Sequence, residues 1–393
     1  MIKIEHPILM DISKEYSENI KSLLLSKVDD VLKVISILQS SELATENTVS
    51  KKVNNFTSAI KVVVGRDKLL DSKYPNGDGK KTNDLIFTLN NFKIKFDKRS
   101  KCKRNKKYED IVFKARILWK FINNNDIIGS KPKDLLILNE RLKTEIGILP
   151  KKVYNYFFDY NNYYNQIDIG IGKALDLKCC PYCNRNFITY IPDKNKRVIG
   201  PTYDHFFSKA RYEYLTLSFY NLIPSCYICN CNLKLNTDFN LKYHLHPYLG
   251  EFGNDVFFDF ELTTMDYNKK KEICFSPILK TSNTINSDKE KRIFGETSIK
   301  NSGSINVFKL KDIYESHSDS IEEIYEKFSK ESPYYIGSIS KIIKKLKTSE
   351  EELYRFYFRN YYNSTDFNKR PLSKLDRDIY DKLKFIFDST TNS

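Results

Sequence analysis

The sequence contains no apolar run of about 18 residues, so we expect no membrane-spanning segment. Its first twenty residues carry charges from position 3 onward, so we expect no secretory signal and a cytoplasmic protein. It also has no internal repeat at a period of roughly 20–50 residues, which argues against a solenoid or a propeller. At roughly 100–200 residues per domain, a chain of 393 residues predicts two or three domains.

Acidic residues are too few to balance the basic ones. The 50 Asp and Glu residues stand against 65 Lys and Arg residues, which leaves a net charge of +15. This excess favours a polyanionic partner, nucleic acid first, although a surface of merely solubilising lysines is the alternative. The densest basic run lies within residues 98–107 and predicts phosphate contacts, or else an exposed, solvated loop. The predicted contacts there are Lys101, Lys103 and Arg104.

Apolar residues at helical spacing predict helices towards both ends of the chain. The pattern predicts one long helix over residues 13–39, and others over residues 110–122 and 374–388. Composition changes near residue 170 and again near residue 250. We therefore expect three regions, which are a mainly helical N-terminal domain (1–170), a central block (171–250) and a mainly helical C-terminal region (251–393).

Eight cysteines in a chain without a secretory signal argue for a metal site or free thiols, and against disulfides. Two C-x-x-C pairs, Cys180 with Cys183 and Cys226 with Cys229, are separated by 42 residues. Four thiolates are a donor set that zinc binds in tetrahedral geometry. The alternatives are a redox pair, unrelated buried thiols, or Cys179 in place of Cys180 as a ligand.

Between the two cysteine pairs, and directly after the second pair, lie residue types suited to hydrolysis. Asp204 and His205 are adjacent, so on a strand they would point to opposite faces. Asn221, Asn230 and Lys234 follow them. A neutral histidine can accept a proton from water near pH 7, and carboxylate and amide oxygens are ligands that Mg²⁺ prefers. The alternative is a zinc-stapled binding module that happens to carry a surface histidine.

The order D-H, then N, then C-x-x-C-N-x-x-x-K resembles the HNH nuclease family over about residues 179–235. The resemblance implies an α+β fold, with a zinc-stapled ββα-metal (HNH) core embedded between mainly helical N- and C-terminal regions. It places the first strand of the core near Thr202–Phe206 and the second near Leu222–Ser225. The helix of the core should begin near Cys229.

The same resemblance implies a metal-dependent phosphodiester hydrolase with catalytic residues His205, Asn221 and Asn230. His205 would be the general base, and Asn221 would orient the loop that carries it. Asp204 and Asn230 would hold Mg²⁺ or Mn²⁺, and Lys234 would contact a phosphate. The zinc ion would be structural, and the products would carry a 5′ phosphate and a 3′ hydroxyl.

Longer stretches resemble one branch of this family, the nuclease subunits of Septu-type anti-phage systems. They are "DHFFSKARYEYLTLSFYNLIPSCYICN", "LHPY", "VFKLKDIYESHSDSIEEI" and "RPLSKLDRDIYDKLK". Proteins of this kind often work beside an ABC-type ATPase, so such a subunit is an expected partner. DNA is the expected substrate, and RNA such as tRNA is the alternative. The first 170 residues would dock a partner or nucleic acid.

Overall fold

The computed structural model describes residues 1–41, 101–147, 149, 151–193, 196–267, 270–330 and 349–391. Residues 71–84, where Pro, Gly and Asn-Gly turn signals predict a loop, lie outside them. The described residues form an α+β fold of helices and small antiparallel sheets. The chain divides into two units, which we call the helical unit and the knuckle unit. The helical unit consists of Met10–Ile171 and Lys209–Leu222, and the knuckle unit of Met1–Leu9, Gly172–Ser208 and Ile223–Ser393.

This division differs from the three predicted regions in two places. The expected boundary near residue 170 lies beside the division at Gly172. Residues 251–393, however, belong to the same unit as the cysteine pairs, and the Tyr314 hydroxyl donates to the carbonyl of Cys183 at 2.6 Å. The segment Lys209–Leu222 belongs to the helical unit, so the chain leaves the knuckle unit after Ser208 and returns at Ile223.

The helical unit is built around α1 (Leu9–Ser41), which covers the predicted helix over residues 13–39. Ile20, Leu24 and Val28 are fully buried, and their spacing of four residues places them on one face of α1. The unit's other described helices follow in chain order. They are α2 (Lys101–Asn124), α3 (Pro132–Ile146), α4 (Lys151–Phe158) and α5 (Tyr164–Ile167).

The second helix begins earlier than the sequence pattern predicted. It is already helical at Lys101 and does not begin near residue 110, so the backbone of residues 101–107 of the basic run is helical and is not a loop. The side chains of residues 101–108, which include Lys101, Lys103 and Arg104, lie outside the described part of the structure. Their predicted contacts with nucleic acid therefore stay a prediction.

The segment Lys209–Leu222 is fastened within the helical unit by backbone atoms. The amide of Phe219 donates to the carbonyl of Ile128 at 2.7 Å. The hydroxyl of Tyr16 on α1 donates to the carbonyl of Leu217 at 2.9 Å. Bonds of this kind hold an irregular segment in place by satisfying backbone groups that would otherwise be buried without partners.

Three two-stranded sheets lie in the described part of the knuckle unit. The two strands of the middle sheet are hydrogen-bonded neighbours, and the side-chain hydroxyl of Thr202 on one strand also donates to the carbonyl of Ser225 on the other at 2.9 Å. The two strands expected for a ββα core are therefore present and paired. The sheets are β1 (Ile191–Asp193) with β2 (Lys196–Ile199), β3 (Thr202–His205) with β4 (Leu222–Ser225), and β5 (Val256–Tyr267) with β6 (Lys270–Thr281).

Helices follow both the middle sheet and the long hairpin β5–β6. A π-helix, Ile228–Lys234, begins one residue before Cys229. The last helix of the chain packs on the hairpin, where the amide of Phe258 donates to a carboxylate oxygen of Asp378 at 3.0 Å. The helices after the hairpin are α6 (Ser287–Phe294), α7 (Ser304–Val307), α8 (Leu310–Glu315), α9 (Ser318–Lys330), α10 (Glu350–Phe358) and α11 (Ser373–Thr391). Among the described residues, no helix combines the length and the apolar character needed to cross a bilayer.

Candidate functional site

Four buried cysteines of the knuckle unit form one cluster. The Sγ atoms of Cys180, Cys183, Cys226 and Cys229 all lie within 4.8 Å of one another, and those of Cys183 and Cys226 are 4.0 Å apart. A tetrahedral zinc ion with Zn–S bonds of about 2.3 Å holds its sulfur ligands about 3.8 Å apart. The donor types, their number and their spacing therefore fit a zinc ion.

Backbone bonds shape each cysteine pair into a turn around the cluster. In the first pair the amide of Asn184 donates to the carbonyl of Cys180 at 2.8 Å, and Asn184 adopts a left-handed φ of 50°. In the second pair the amide of Cys229 points at the Sγ of Cys226 at 3.5 Å. The side-chain amide of Asn186 also donates to that sulfur at 3.4 Å. These donors favour a thiolate at Cys226.

The thiols also influence one another. Hydrogen bonds from Cys180, and then from Cys183 and Cys229, lower the pKa of Cys226 far below that of an ordinary thiol. Burial is the main cause that raises the pKa of Cys180. Because zinc binds thiolates, metal binding at this cluster would release protons.

The neighbouring Cys179 stands apart from this cluster, although it is also buried. Its backbone pairs instead with Phe187, and burial raises the pKa of its thiol. The donor set therefore contains Cys180, as the C-x-x-C spacing predicted, and not Cys179.

Asp204 and His205 end β3 and differ in exposure. Asp204 is 3 % exposed, and His205 is partly exposed. Both carboxylate oxygens of Asp204 have partners, because the hydroxyl of Tyr182 donates to Oδ2 at 2.6 Å and Nζ of Lys234 lies 2.7 Å from Oδ1. Burial, followed by the charge of Asp204, raises the pKa of Tyr182, so this phenol stays protonated and donates.

Lys234 also holds the strand next to the histidine. Its Nζ donates to the main-chain carbonyl of His205 at 2.6 Å and lies 4.8 Å from the ring centroid of Phe239. Lys234 is only 2 % exposed. The resemblance predicted a phosphate contact here, which needs an accessible ammonium group, and the structure instead turns this group inward to Asp204.

The two asparagines lie in different units. Asn221 is fully buried in the helical unit, and its side-chain amide donates to the carbonyl of Leu215 at 2.9 Å. Asn230 is partly exposed in the π-helix of the knuckle unit, directly after Cys229. Asn221 thus donates to backbone within the helical unit, whereas Asn230 is a partly exposed residue of the knuckle unit.

The predicted site for Mg²⁺ or Mn²⁺ can be tested against these contacts. Asn230 fits, because it is a partly exposed residue and its side chain carries an amide oxygen, which is a suitable ligand. Asp204 does not fit as it is placed, because its oxygens already bind an ammonium group and a phenol, and because the carboxylate is buried.

Sequence reasoning missed Tyr182 and Phe239, which complete the surroundings of Asp204 and Lys234. The position of Tyr182 inside the first C-x-x-C pair was the available signal. His244 and His246, whose sequence positions just after the candidate site leave both a site role and a packing role open, are buried against aromatic rings. The ring of His244 stacks on Phe239 at 4.0 Å, and that of His246 lies 4.1 Å from Phe206.

Comparisons with protein families, with curated proteins and with solved structures find no match for this chain. The function is therefore inferred from the resemblance of the site residues to the HNH family and from the contacts that these residues make.

Proposed function

We propose that this protein is an HNH-type endonuclease that hydrolyses phosphodiester bonds, with DNA as its substrate. The observation that carries the proposal is the placement of His205. It is a partly exposed histidine at the end of β3, in the same unit as a four-cysteine cluster that fits zinc. The net charge of +15 supports a polyanionic substrate.

In this proposal His205 is the general base. Its imidazole takes a proton from a water molecule whose oxygen attacks the phosphorus atom, the bond from phosphorus to the 3′ oxygen breaks, and that oxygen takes a proton from solvent water. The strand that carries His205 is held by the bond between Lys234 and the carbonyl of His205, which limits movement of the base. The products are a 5′ phosphate and a 3′ hydroxyl.

Two metals belong to the proposal in different ways. A structural zinc ion at the four cysteines would fix the two knuckles, of which one precedes β3 and the other includes Cys229 at the start of the π-helix. A divalent cation, Mg²⁺ or Mn²⁺, would supply charge neutralisation at the phosphate, with Asn230 as the ligand that fits. Asp204, the other ligand that the resemblance implies, would have to lose Lys234 first.

A cleavage assay on supercoiled plasmid DNA and on total tRNA, with Mg²⁺ or Mn²⁺, tests the proposal. We expect the wild type to cut plasmid DNA and His205→Ala to lose this activity while keeping its zinc content. His6→Ala is the matched control, because His6 is also a partly exposed histidine of the knuckle unit. Equal cutting by the wild type and His205→Ala would contradict the assignment of the base.

The same assay separates the two other candidates. Cutting of tRNA but not of plasmid DNA would assign an RNA endonuclease, because the chemistry at His205 does not distinguish the two sugars. A non-catalytic zinc-binding module for nucleic acid or for assembly predicts binding without cleavage.

We further propose that the nuclease is the effector of an anti-phage defence system and works with an ABC-type ATPase subunit. The proposal extends the Septu-type resemblance of residues 179–385. An assay that is silent with the protein alone should therefore be repeated with the product of the neighbouring gene, which the proposal expects to be such an ATPase. Cleavage that depends on both the ATPase and His205 would support the pairing.

A further inference from the structure

The ammonium group of Lys234 stands where the resemblance would place a divalent cation. It lies 2.7 Å from Oδ1 of Asp204, and the second oxygen accepts a hydrogen bond from Tyr182 at 2.6 Å. Both residues of the ion pair are at least 97 % buried, since Asp204 is 3 % and Lys234 is 2 % exposed. A buried carboxylate needs one compensating charge, and Lys234 supplies it.

Other contacts of Lys234 show that its position is specific. Its Nζ donates to the carbonyl of His205 at 2.6 Å and lies over the ring of Phe239 at 4.8 Å. A carboxylate, a carbonyl and an aromatic face together surround the ammonium group. Each of these groups stabilises a positive charge, so together they form a complete cation site, and the ammonium group of Lys234 occupies it.

The backbone explains how Lys234 reaches this position. Residues Ile228–Lys234 form a π-helix, in which the amide of Leu235 donates to the carbonyl of Asn230 at 3.2 Å, a spacing of five residues. The wider turn changes the direction of Lys234 relative to Asn230 from that of a regular helix. Leu235 then leaves the helix with a left-handed φ of 48°.

We infer that Lys234, and not a divalent cation, is the charge partner of Asp204, and that this pair positions the strand carrying His205. The role of positioning the base rests on the proposed function, whereas the choice of partner for Asp204 does not. Asp204 is then a structural anion that links β3 to the π-helix and, through Tyr182, to the first cysteine pair. Any catalytic cation would bind elsewhere, at Asn230 and the phosphate of the substrate.

Binding of Mn²⁺ to the zinc-loaded full chain, followed by electron paramagnetic resonance without nucleic acid, tests this inference. We expect the wild type and Asp204→Asn to bind Mn²⁺ with the same affinity, because Asp204 offers no oxygen to the ion. Lys234→Ala frees Oδ1 of Asp204 and leaves space beside it, so a new site should appear. This variant should then bind Mn²⁺ at least about tenfold more tightly than the wild type does. The double variant Asp204→Asn/Lys234→Ala should lose this gain.

Two results would overturn the inference. One is a Mn²⁺ site in the wild type that Asp204→Asn weakens about tenfold or more, because Asp204 would then bind the ion while Lys234 is present. The other is a Lys234→Ala variant that keeps its zinc and its fold but gains no site. If Lys234→Ala does not fold, the comparison of the wild type with Asp204→Asn still decides.

This experiment is independent of cleavage. A protein that cuts neither DNA nor RNA but behaves as expected towards Mn²⁺ would refute the proposed function and leave the pairing of Asp204 with Lys234 intact. A nuclease whose Mn²⁺ site depends on Asp204 would support the proposed function and refute the inference that Lys234 is the charge partner of Asp204.

Discussion

The knuckle unit contains two places where the sequence predicts a metal, and they differ in which protein groups already contact the donor atoms. At the four cysteines, the sulfur atoms surround a common centre within 4.8 Å of one another. At Asp204, a lysine and a tyrosine already occupy the carboxylate. Residue types and spacing were right for a metal in both cases. The comparison teaches that a metal site also requires donor atoms that the protein has not used.

The largest effect should follow from breaking the cysteine cluster. Cys229→Ser removes one of four donors, so we expect loss of zinc and unfolding of the knuckle unit, because the binding energy of a structural zinc contributes directly to folding. Zinc content and circular dichroism measure this. Cys231→Ser is the matched control, since Cys231 is two residues away and outside the cluster, and it should keep both. Equal zinc in the two variants would contradict the assignment.

Lys234→Met should have the next largest effect, because it leaves the Asp204 carboxylate buried without its charge partner. Removing one member of a buried pair costs about 3 to 5 kcal/mol in the free energy of unfolding. Urea unfolding of the zinc-loaded protein measures it. The neutral pair Asp204→Asn/Lys234→Met should recover part of this loss. A double variant whose loss equals the sum of the two single losses would show that the residues do not interact.

Tyr182→Phe tests the second oxygen of Asp204 with less disturbance. The change removes only the hydroxyl that donates to Oδ2, and the ring can keep its stacking on Phe308 at 4.3 Å. We expect a loss of about 1.5 to 3 kcal/mol in the free energy of unfolding, as for hydrogen bonds to a charged group. Zinc content should not change. A variant as stable as the wild type would mean that this bond contributes nothing net.

Asp376 offers a second test of this comparison, because it is a partly buried aspartate of the same unit whose carboxylate bonds to an amide and not to a lysine. Its Oδ2 accepts from the side-chain amide of Asn360 at 2.7 Å, and burial raises its pKa to about 7. A folded pKa above the unfolded value means that the folded state binds the proton more tightly, so this group's contribution to stability rises as pH falls from about 7 towards 4.

Asp376→Asn should therefore flatten the dependence of stability on pH between 4 and 7. Urea midpoints of the wild type and of the variant across this window measure the effect. The change in the slope of stability against pH is the smallest of the expected effects, and it is independent of any change in overall stability. An unchanged slope would show that Asp376 ionises in the folded protein as it does in the unfolded chain.

Several elements were predictable because local sequence determines them. The apolar spacing of Ile20, Leu24 and Val28 predicted α1, and the C-x-x-C spacing predicted the cysteine cluster. The strands at Thr202–His205 and Leu222–Ser225 also lie where they were expected. Short sequence patterns predicted α1 and the cysteine cluster, whereas the two strands were expected from the resemblance to the HNH family.

Features that depend on distant residues were not predictable in the same way. The pair of Asp204 and Lys234 joins positions 30 residues apart and depends on a π-helix, which sequence pattern does not distinguish from a regular turn. The segment Lys209–Leu222 follows one unit's strand and packs in the other unit, so composition does not mark its boundaries. Residues 251–393 were expected to be mainly helical, so the twelve-residue pairing of β5 with β6 was not predicted.

X-ray absorption at the zinc edge of the purified full chain tests the central claim most directly. The account predicts one zinc ion with four sulfur ligands at about 2.3 Å, unchanged in Asp204→Asn and in His205→Ala. A chain without zinc, or a zinc ion with nitrogen or oxygen ligands that change in either variant, would contradict it.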